Sequence, residues 1–272
     1  DEIGAVRFDD APVATAVASA LHGRRALLVL DNVEQVASAA GRLVAQLLAD
    51  CDDLTVLVTS RQALKIDSEH IRSIEPLDPD ADASELFVAR ARVARPDIDP
   101  SSDDDAIRRI CRALDGLPLA IELAAALVST MTIAEISAEL ERRVGLQHGQ
   151  GRQLGEGALT SMMQWSHDLL DATERTLFDR VAVFHGGFDL NGAVAVISAT
   201  RPTPSAQVDR SIRSVAATSM VERVDGVAAP RWAMLGTLRE FGDRQLAERG
   251  EGSTARNAHL EHMMSVASLA GA

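Results

Sequence analysis

Arg25-Ala26-Leu27-Leu28-Val29-Leu30-Asp31-Asn32 and Leu54-Thr55-Val56-Leu57-Val58-Thr59-Ser60-Arg61 decide how this chain is read. The first is an apolar run that ends in an acid and an amide. The second is an apolar run that ends in two hydroxyls and an arginine. Between them, residues 34–49 carry Val36, Leu43, Val44, Leu47 and Leu48 at helical spacing. Continuous apolar runs are what strands need when a parallel sheet is covered on both faces. Two buried strands, 25–30 and 54–59, are therefore predicted, joined by a helix. That order is the rhythm of an α/β sheet. Asp31 would then stand at the C-terminal edge of the sheet, where α/β folds bind ligands. A strand end simply capped by Asp is the plainer alternative.

Working outward, residues 12–22 read as a helix, with Pro12 at an early position and Gly23 as its stop. Ile71 to Leu77 is a candidate third strand, bounded by Pro76 and Pro79. After Pro79 the pattern turns helical, with helices predicted over 82–95, 103–114, 117–130 and 132–144. Ser101-Ser102 followed by Asp103-Asp104-Asp105 reads as a helix N-terminus, hydroxyls first and acids complementing the dipole. An acidic metal cluster is the sharper and less favoured reading. Gly145 to Gly157 holds five glycines and reads as a linker or exposed loop. Further helices are predicted over 158–170, 172–184, 189–198 and 205–217. Met220–Val224 and Arg231–Met234 then form a hairpin pattern around Asp225-Gly226 and Pro230. Helices over 236–249 and 254–270 follow. The predicted domains are 1–79, 80–150, 151–250 and the start of another helical region over 251–272.

Composition narrows the function classes. The 272 residues carry 27 basic and 40 acidic side chains, a formal net charge of −13. Such a surface repels DNA phosphates and anionic membranes unless basic residues are segregated. No apolar run approaches the ~20 residues that span a bilayer. Cys51 and Cys111 lack partner spacing and read as buried free thiols, which suits a reducing cytoplasm. The chain opens on Asp1 rather than Met, and is expected to be part of a longer product. Trp165 reads as a core anchor. His259 and His262 stand i, i+3 on the last helix, but two ligands without a third make a poor zinc site. His185 beside Gly186-Gly187 reads as a turn.

The candidate chemistry sits at the two strand ends. A carboxylate at Asp31 can hold a divalent cation, and Glu34 can accept a proton, which the amide of Asn32 cannot. Thr59, Ser60 and Arg61 can hydrogen-bond a phosphate. A third segment is Asp115-Gly116-Leu117-Pro118-Leu119-Ala120-Ile121-Glu122-Leu123-Ala124. Gly116 ends one helix and Pro118 starts the next; a plain helix–turn–helix corner is the modest reading.

Taken together, these segments resemble the signal-transduction ATPases with numerous domains, the STAND class with an NB-ARC-type core, in particular bacterial transcriptional regulators of the LuxR and AfsR type. The run LLVLDN-x-E, the TSR strand and GLPLAIELAAA occur in that family's order. Trp165-Ser166-His167-Asp168-Leu169-Leu170, the run from Glu174 to Phe188, and Arg231 to Phe241 resemble its winged-helix domain. The resemblance covers nearly the whole chain. It implies part of an α/β P-loop-NTPase-like parallel sheet, then an all-α helical domain, then a winged helix, mostly α in total. It implies an ATP/ADP-controlled, cytoplasmic switch in signal transduction. Asp31 would hold Mg²⁺ through water and Glu34 would be the catalytic base. Thr59, Ser60, Arg61, Gly116 and Pro118 would contact nucleotide, with Pro118 on the adenine. Partners would be ATP or ADP, other domains of the same polypeptide or further copies, and DNA only through a separate effector domain.

Two departures stand out. No G-x-x-x-x-G-K-[ST] phosphate-binding loop occurs in the 272 residues, so the central strand leading into it is expected to be missing. Tight ATP binding and hydrolysis by this chain alone are not expected. Where related switches carry Met-His-Asp, with the His on the ADP β-phosphate, this chain has Met234-Leu235-Gly236. The competing readings are a non-catalytic interaction or scaffold module and, less favoured on charge, a DNA-binding winged helix.

Overall fold

The computed structural model describes residues 13–100, 103–147, 156–224 and 229–270. The chain divides into two compact units, 1–74 and 75–272. The described residues are mostly helical, with one small parallel sheet and one hairpin among them.

The first unit runs α1 (Val13–Leu21), β1 (Ala26–Leu30), a 3-10 turn (Glu34–Val36), α2 (Ala37–Asp50) and β2 (Leu54–Val58). β1 and β2 pair in parallel, in register from Ala26↔Leu54 to Leu30↔Val58. Side chains alternate across a strand, and here the alternation decides everything. Leu28 and Val56 face a cluster built from Ala18 and Leu21 of α1 and Leu47 of α2. Leu30 and Val58 face a second cluster with Val33, Ala40, Val44 and Leu64. Leu27, Val29 and Leu57 point the other way and are 62%, 55% and 54% exposed. The expectation of strands covered on both faces is thus corrected: among the described residues one face is packed and the other is open to solvent. After β2 the chain folds back over α2. Leu64 is buried, and a side chain on Gly41 would meet its carbonyl at 3.0 Å. The Glu69 carboxylate holds this return by accepting from the amides of Leu64 and Lys65, both at 2.9 Å.

The strand predicted over Ile71–Leu77 does not form. Ile71 and Ile74 are exposed and no described strand pairs with them. A strand exists through its ladder, and Pro76 removes a donor from this segment. β-Branched side chains alone do not supply a partner.

The second unit begins with α3 (Asp82–Ala94), α4 (Asp104–Ala113), α5 (Pro118–Ala126) and α6 (Ile133–Gln147). α5 buries Ala120, Ile121 and Leu123 through Ala126, so it is apolar nearly all round, as a central helix must be. α3 packs across it through Phe87 and Ala91. Thr132 and Glu135 cap α6 reciprocally: the Glu135 carboxylate accepts from the Thr132 amide at 2.8 Å, and Thr132 Oγ1 accepts from the Glu135 amide at 3.3 Å. Next come α7 (Glu156–Leu169), α8 (Ala172–Val181), α9 (Leu190–Ser198) and α10 (Ser205–Ala217). Asp171 and Glu174 form a capping box at the start of α8. The strands β3 (Glu222–Val224) and β4 (Arg231–Ala233) make an antiparallel hairpin, followed by α11 (Gly236–Glu248) and α12 (Gly252–Ala270). Phe188 and Trp232 exchange backbone hydrogen bonds at 2.8 Å and stack their rings, which ties the segment before α9 to the hairpin.

One hydrophobic cluster runs through this unit from Ala83 to Ala255, across the border expected at 150. Trp165 is buried in it, with the Arg143 guanidinium over its ring. Cys51 and Cys111 are both free and buried, as expected. Burial pushes the Cys111 thiol up, with Ser84 opposing as a hydrogen-bond partner and Asp80 adding to the rise. The Ser101-Ser102 cap, the Asp225-Gly226 turn and residues 148–155 of the glycine-rich stretch lie outside the described residues. No described helix is long and apolar enough to cross a membrane.

Candidate functional site

The C-terminal ends of β1 and β2 lie side by side because the pair is parallel. Thr59 N donates to Leu30 O at 2.9 Å and Val33 N to Thr59 O at 3.3 Å, so the ladder carries on just past both strands. This register places the Thr59 hydroxyl against the Asp31 carboxylate, and it donates to Oδ1. The same Oγ1 accepts from the Asn32 amide at 3.0 Å. Asn32 sits at φ 58°, the left-handed region that Asn tolerates better than most residues. The turn that results brings its side chain onto Glu34. With the amide oriented to suit its neighbours, Nδ2 donates to both Glu34 oxygens, at 2.7 and 3.0 Å. Gln62 Nε2 in turn donates to the Glu34 carbonyl at 2.9 Å, and its backbone amide to Ser60 Oγ at 3.2 Å.

Asp31, Asn32, Glu34, Thr59, Ser60 and Gln62 therefore form one hydrogen-bonded cluster at a strand-end edge, with Arg61 exposed between Ser60 and Gln62. Glu34 is half-buried and the other named side chains are exposed. Asn32 and Gln62 join the cluster through the turn geometry of the folded chain; the sequence signal for Asn32 is that Asn accepts positive φ. Among the described residues no three His, Cys, Asp or Glu side chains are grouped to hold a metal ion by themselves. One carboxylate backed by hydroxyls nevertheless fits Mg²⁺, which keeps most of its waters and takes one or two carboxylates together with substrate phosphates.

Gly116 and Pro118 belong to the second unit. Asp115 and Gly116 both adopt positive φ, 53° and 65°, where α4 gives way to α5. Gly116 N donates back to Cys111 O at 3.0 Å, closing the helix end. Gly116 O accepts from Leu77 N at 2.9 Å, and a Cβ at this position would stand 2.1 Å from Leu77 O. Only glycine fits. Pro118, at the first turn of α5, is exposed.

Asp104 and Asp105 lie in the first turn of α4 and pair with Arg108. Leu235 is exposed and Gly236 opens α11, so position 235 offers no hydrogen-bonding side chain. A polar cluster that the sequence did not reveal lies in the second core: His167 Nε2 meets Asp179 Oδ1 at 2.9 Å, and Arg249 Nη1 stands 2.8 Å from Asp179 Oδ2. Oδ2 takes no well-aligned hydrogen bond, so that contact is a pairing of charges. Next to it, buried Arg180 donates to the carbonyls of Val196 and Ile197, to Thr200 Oγ1 and to the Glu251 carboxylate.

No family model matches the chain. It is similar to an uncharacterized protein of Mycobacterium tuberculosis, 36% identical over 246 residues, covering 89% of this chain and 63% of that protein. A second Mycobacterium tuberculosis protein, provisionally named an HTH-type transcriptional regulator, is 35% identical over 242 residues, 88% of this chain and 27% of the relative. The regulatory protein AfsR of Streptomyces coelicolor is 28% identical over 259 residues, 90% of this chain and 24% of AfsR. The chain thus spans less than two thirds of the first of these relatives and about a quarter of the two regulators.

Proposed function

We propose that this chain is a nucleotide-responsive switch module of a transcriptional regulator, with ATP or ADP as its ligand and Mg²⁺ as the accompanying ion. The observation that carries the reading is the Asp31–Thr59 pair and the Glu34 carboxylate held beside it by Asn32. The likeness to two proteins named as regulators supports the biological setting. In this reading Asp31 holds the ion through water, and Thr59 fixes which carboxylate oxygen faces it. Glu34 is the group that accepts a proton from water. Ser60 and Arg61 offer hydrogen bonds to phosphate oxygens, and Gly116 and Pro118 contact the base. The ion, when bound, neutralises phosphate charge.

The P-loop-like sheet and the winged helix belong to the same proposal. The helices α7 to α10 followed by the β3–β4 hairpin and α11 have the element order of a winged helix. Because no phosphate-binding loop occurs in the 272 residues, the chain alone is proposed to bind nucleotide weakly and not to turn it over. A titration of the chain with ATP·Mg²⁺ and ADP·Mg²⁺, followed residue by residue in amide spectra, tests this. Perturbation at Asn32, Thr59 and Ser60 that Asp31→Ala removes is the expected result. A scaffold module would show no perturbation there.

A further inference from the structure

α12 is attached to the second unit by two different kinds of contact. At its start, the turn Arg249-Gly250-Glu251 is gripped by two adjacent residues of α8. Asp179 pairs with Arg249 at 2.8 Å, and Arg180 pairs with Glu251 at 2.8 Å. Gly250 between them is at φ 69°, a left-handed hinge position. One turn into α12, Ala255 is fully buried, and Arg256 pairs with Asp243 of α11 at 3.7 Å.

Further along, the attachment changes character. The His259 ring meets the Phe184 ring at 4.5 Å between centroids, edge to face, and His262 approaches the same ring at 6.5 Å. On its other side Phe184 packs against Gly192 of α9, where an added Cβ would meet two of its ring carbons at 3.1 Å. His185, the next residue, is close enough for its charge to act on His259. Three imidazoles thus gather where α12 meets Phe184 and α9. α9 itself contributes no titratable side chain between Leu190 and Ser198, and Asp189 at its start is engaged by the Gly192 amide at 2.8 Å. From α11, Asp243 pairs with Arg256 of α12. On α12 the charged groups are Arg256 and Glu261, and Glu251 just before it is held by Arg180.

We propose that α12 is an acid-released latch: protonation of His259, which is seated edge-on against Phe184, detaches the helix there, while Arg249-Gly250-Glu251 stays fastened to Asp179 and Arg180 and serves as the hinge. The docked state favours a neutral His259, first because burial disfavours its charge and then because His262 and His185 repel it. A group depressed in the docked state gives full docking above the ordinary imidazole value of about 6.5. Docking is lost as pH falls below that value.

The test uses the 272-residue chain with spin labels at Ser214→Cys on α10 and Ser265→Cys on α12, both exposed, with EDTA present throughout. The expected result is a single interlabel distance at pH 8 and a second, broader population that grows as pH falls below 6.5 and reverses on neutralisation. His259→Phe keeps the ring contact but cannot charge, and is expected to hold the docked distance to lower pH. His262→Gln, which removes one repelling imidazole, is expected to move the midpoint in the same direction. Circular dichroism at each pH confirms that the helices stay formed. An unchanged distance distribution between pH 8 and pH 5 overturns the proposal. So does an identical acid response in His259→Phe, His262→Gln and the parent.

Discussion

The hydroxyl of Thr59 donates to the carboxylate of Asp31 across the ends of two parallel strands, 28 positions apart in the chain. This single bond joins the acid that closes β1 to the hydroxyl that follows β2. It also leaves the other Asp31 oxygen available at an exposed edge. The Asn32 amide donates to the same hydroxyl, so Thr59 organises both residues that follow β1.

Thr59→Val removes the donor and the acceptor without changing the shape of the side chain. Both bonds are exposed, so the expected loss in stability stays within about 1 kcal/mol. The local effect is larger: the Asn32 amide resonance shifts, and perturbation by ATP·Mg²⁺ at Asn32 and Ser60 weakens. Urea denaturation and amide spectra read the two effects separately.

Gly116→Ala places a methyl carbon against Leu77 O, on a backbone at φ 65°. The left-handed conformation alone costs a non-glycine residue about 1–3 kcal/mol, and the clash adds to it. The expected outcome is a destabilisation of at least about 2 kcal/mol with loosening of the Leu77 segment. A variant as stable as the parent would mean that the Leu77–Gly116 contact is not made in solution.

Asp179→Ala leaves buried His167 and exposed Arg249 without their shared carboxylate. Breaking a buried pair from one side is strongly destabilising, and about 3 kcal/mol is expected here because Arg249 retains access to water. Arg249→Gln is expected to cost less, since the His167 bond to Asp179 survives. Chemical denaturation of both variants checks the order, which would be reversed if Arg249 carried the cluster.

The open sheet face supplies a contrast between two leucines. Leu47 of α2 is fully buried and Leu27 of β1 is 62% exposed. Leu47→Ala is expected to cost about 2–5 kcal/mol. Leu27→Ala should stay within about 0.5 kcal/mol, as for other surface positions. Replacing Leu27 and Leu57 together by Ser should reduce concentration-dependent association, measured by sedimentation. Equal costs at Leu27 and Leu47 would show that the face is covered.

Much of this arrangement was legible in the chain, for reasons that differ from element to element. Ala26–Leu30 and Leu54–Val58 were readable as neighbouring strands because nothing but a strand suits such short apolar runs between turn signals. Their one-sided packing was not readable, since Leu27 and Leu28 are the same residue on opposite faces. Asp115-Gly116 followed by Pro118 announced a helix corner through conformational chemistry that is local. Ile71 and Ile74 suggested a strand, but pairing is a property of neighbours and none is present among the described residues. The Asp179–Arg249 and Arg180–Glu251 pairs span about 70 positions and depend on how α8 meets the α11–α12 turn, which no local pattern records. In the candidate site, Asp31, Glu34, Thr59 and Ser60 were identified by residue type, whereas Asn32 and Gln62 act through a turn that only the folded chain defines.

The most direct test of the switch reading is an ATP·Mg²⁺ titration of the isotope-labelled chain, run in parallel on the parent and on Asp31→Ala. Weak, saturable shifts of the Asn32, Thr59, Ser60 and Arg61 amides are expected in the parent, with ADP·Mg²⁺ acting at the same residues. These shifts are expected to disappear in Asp31→Ala while that variant keeps its fold. Shifts that are absent from the β1 and β2 ends, or that persist unchanged without the Asp31 carboxylate, would contradict the switch reading.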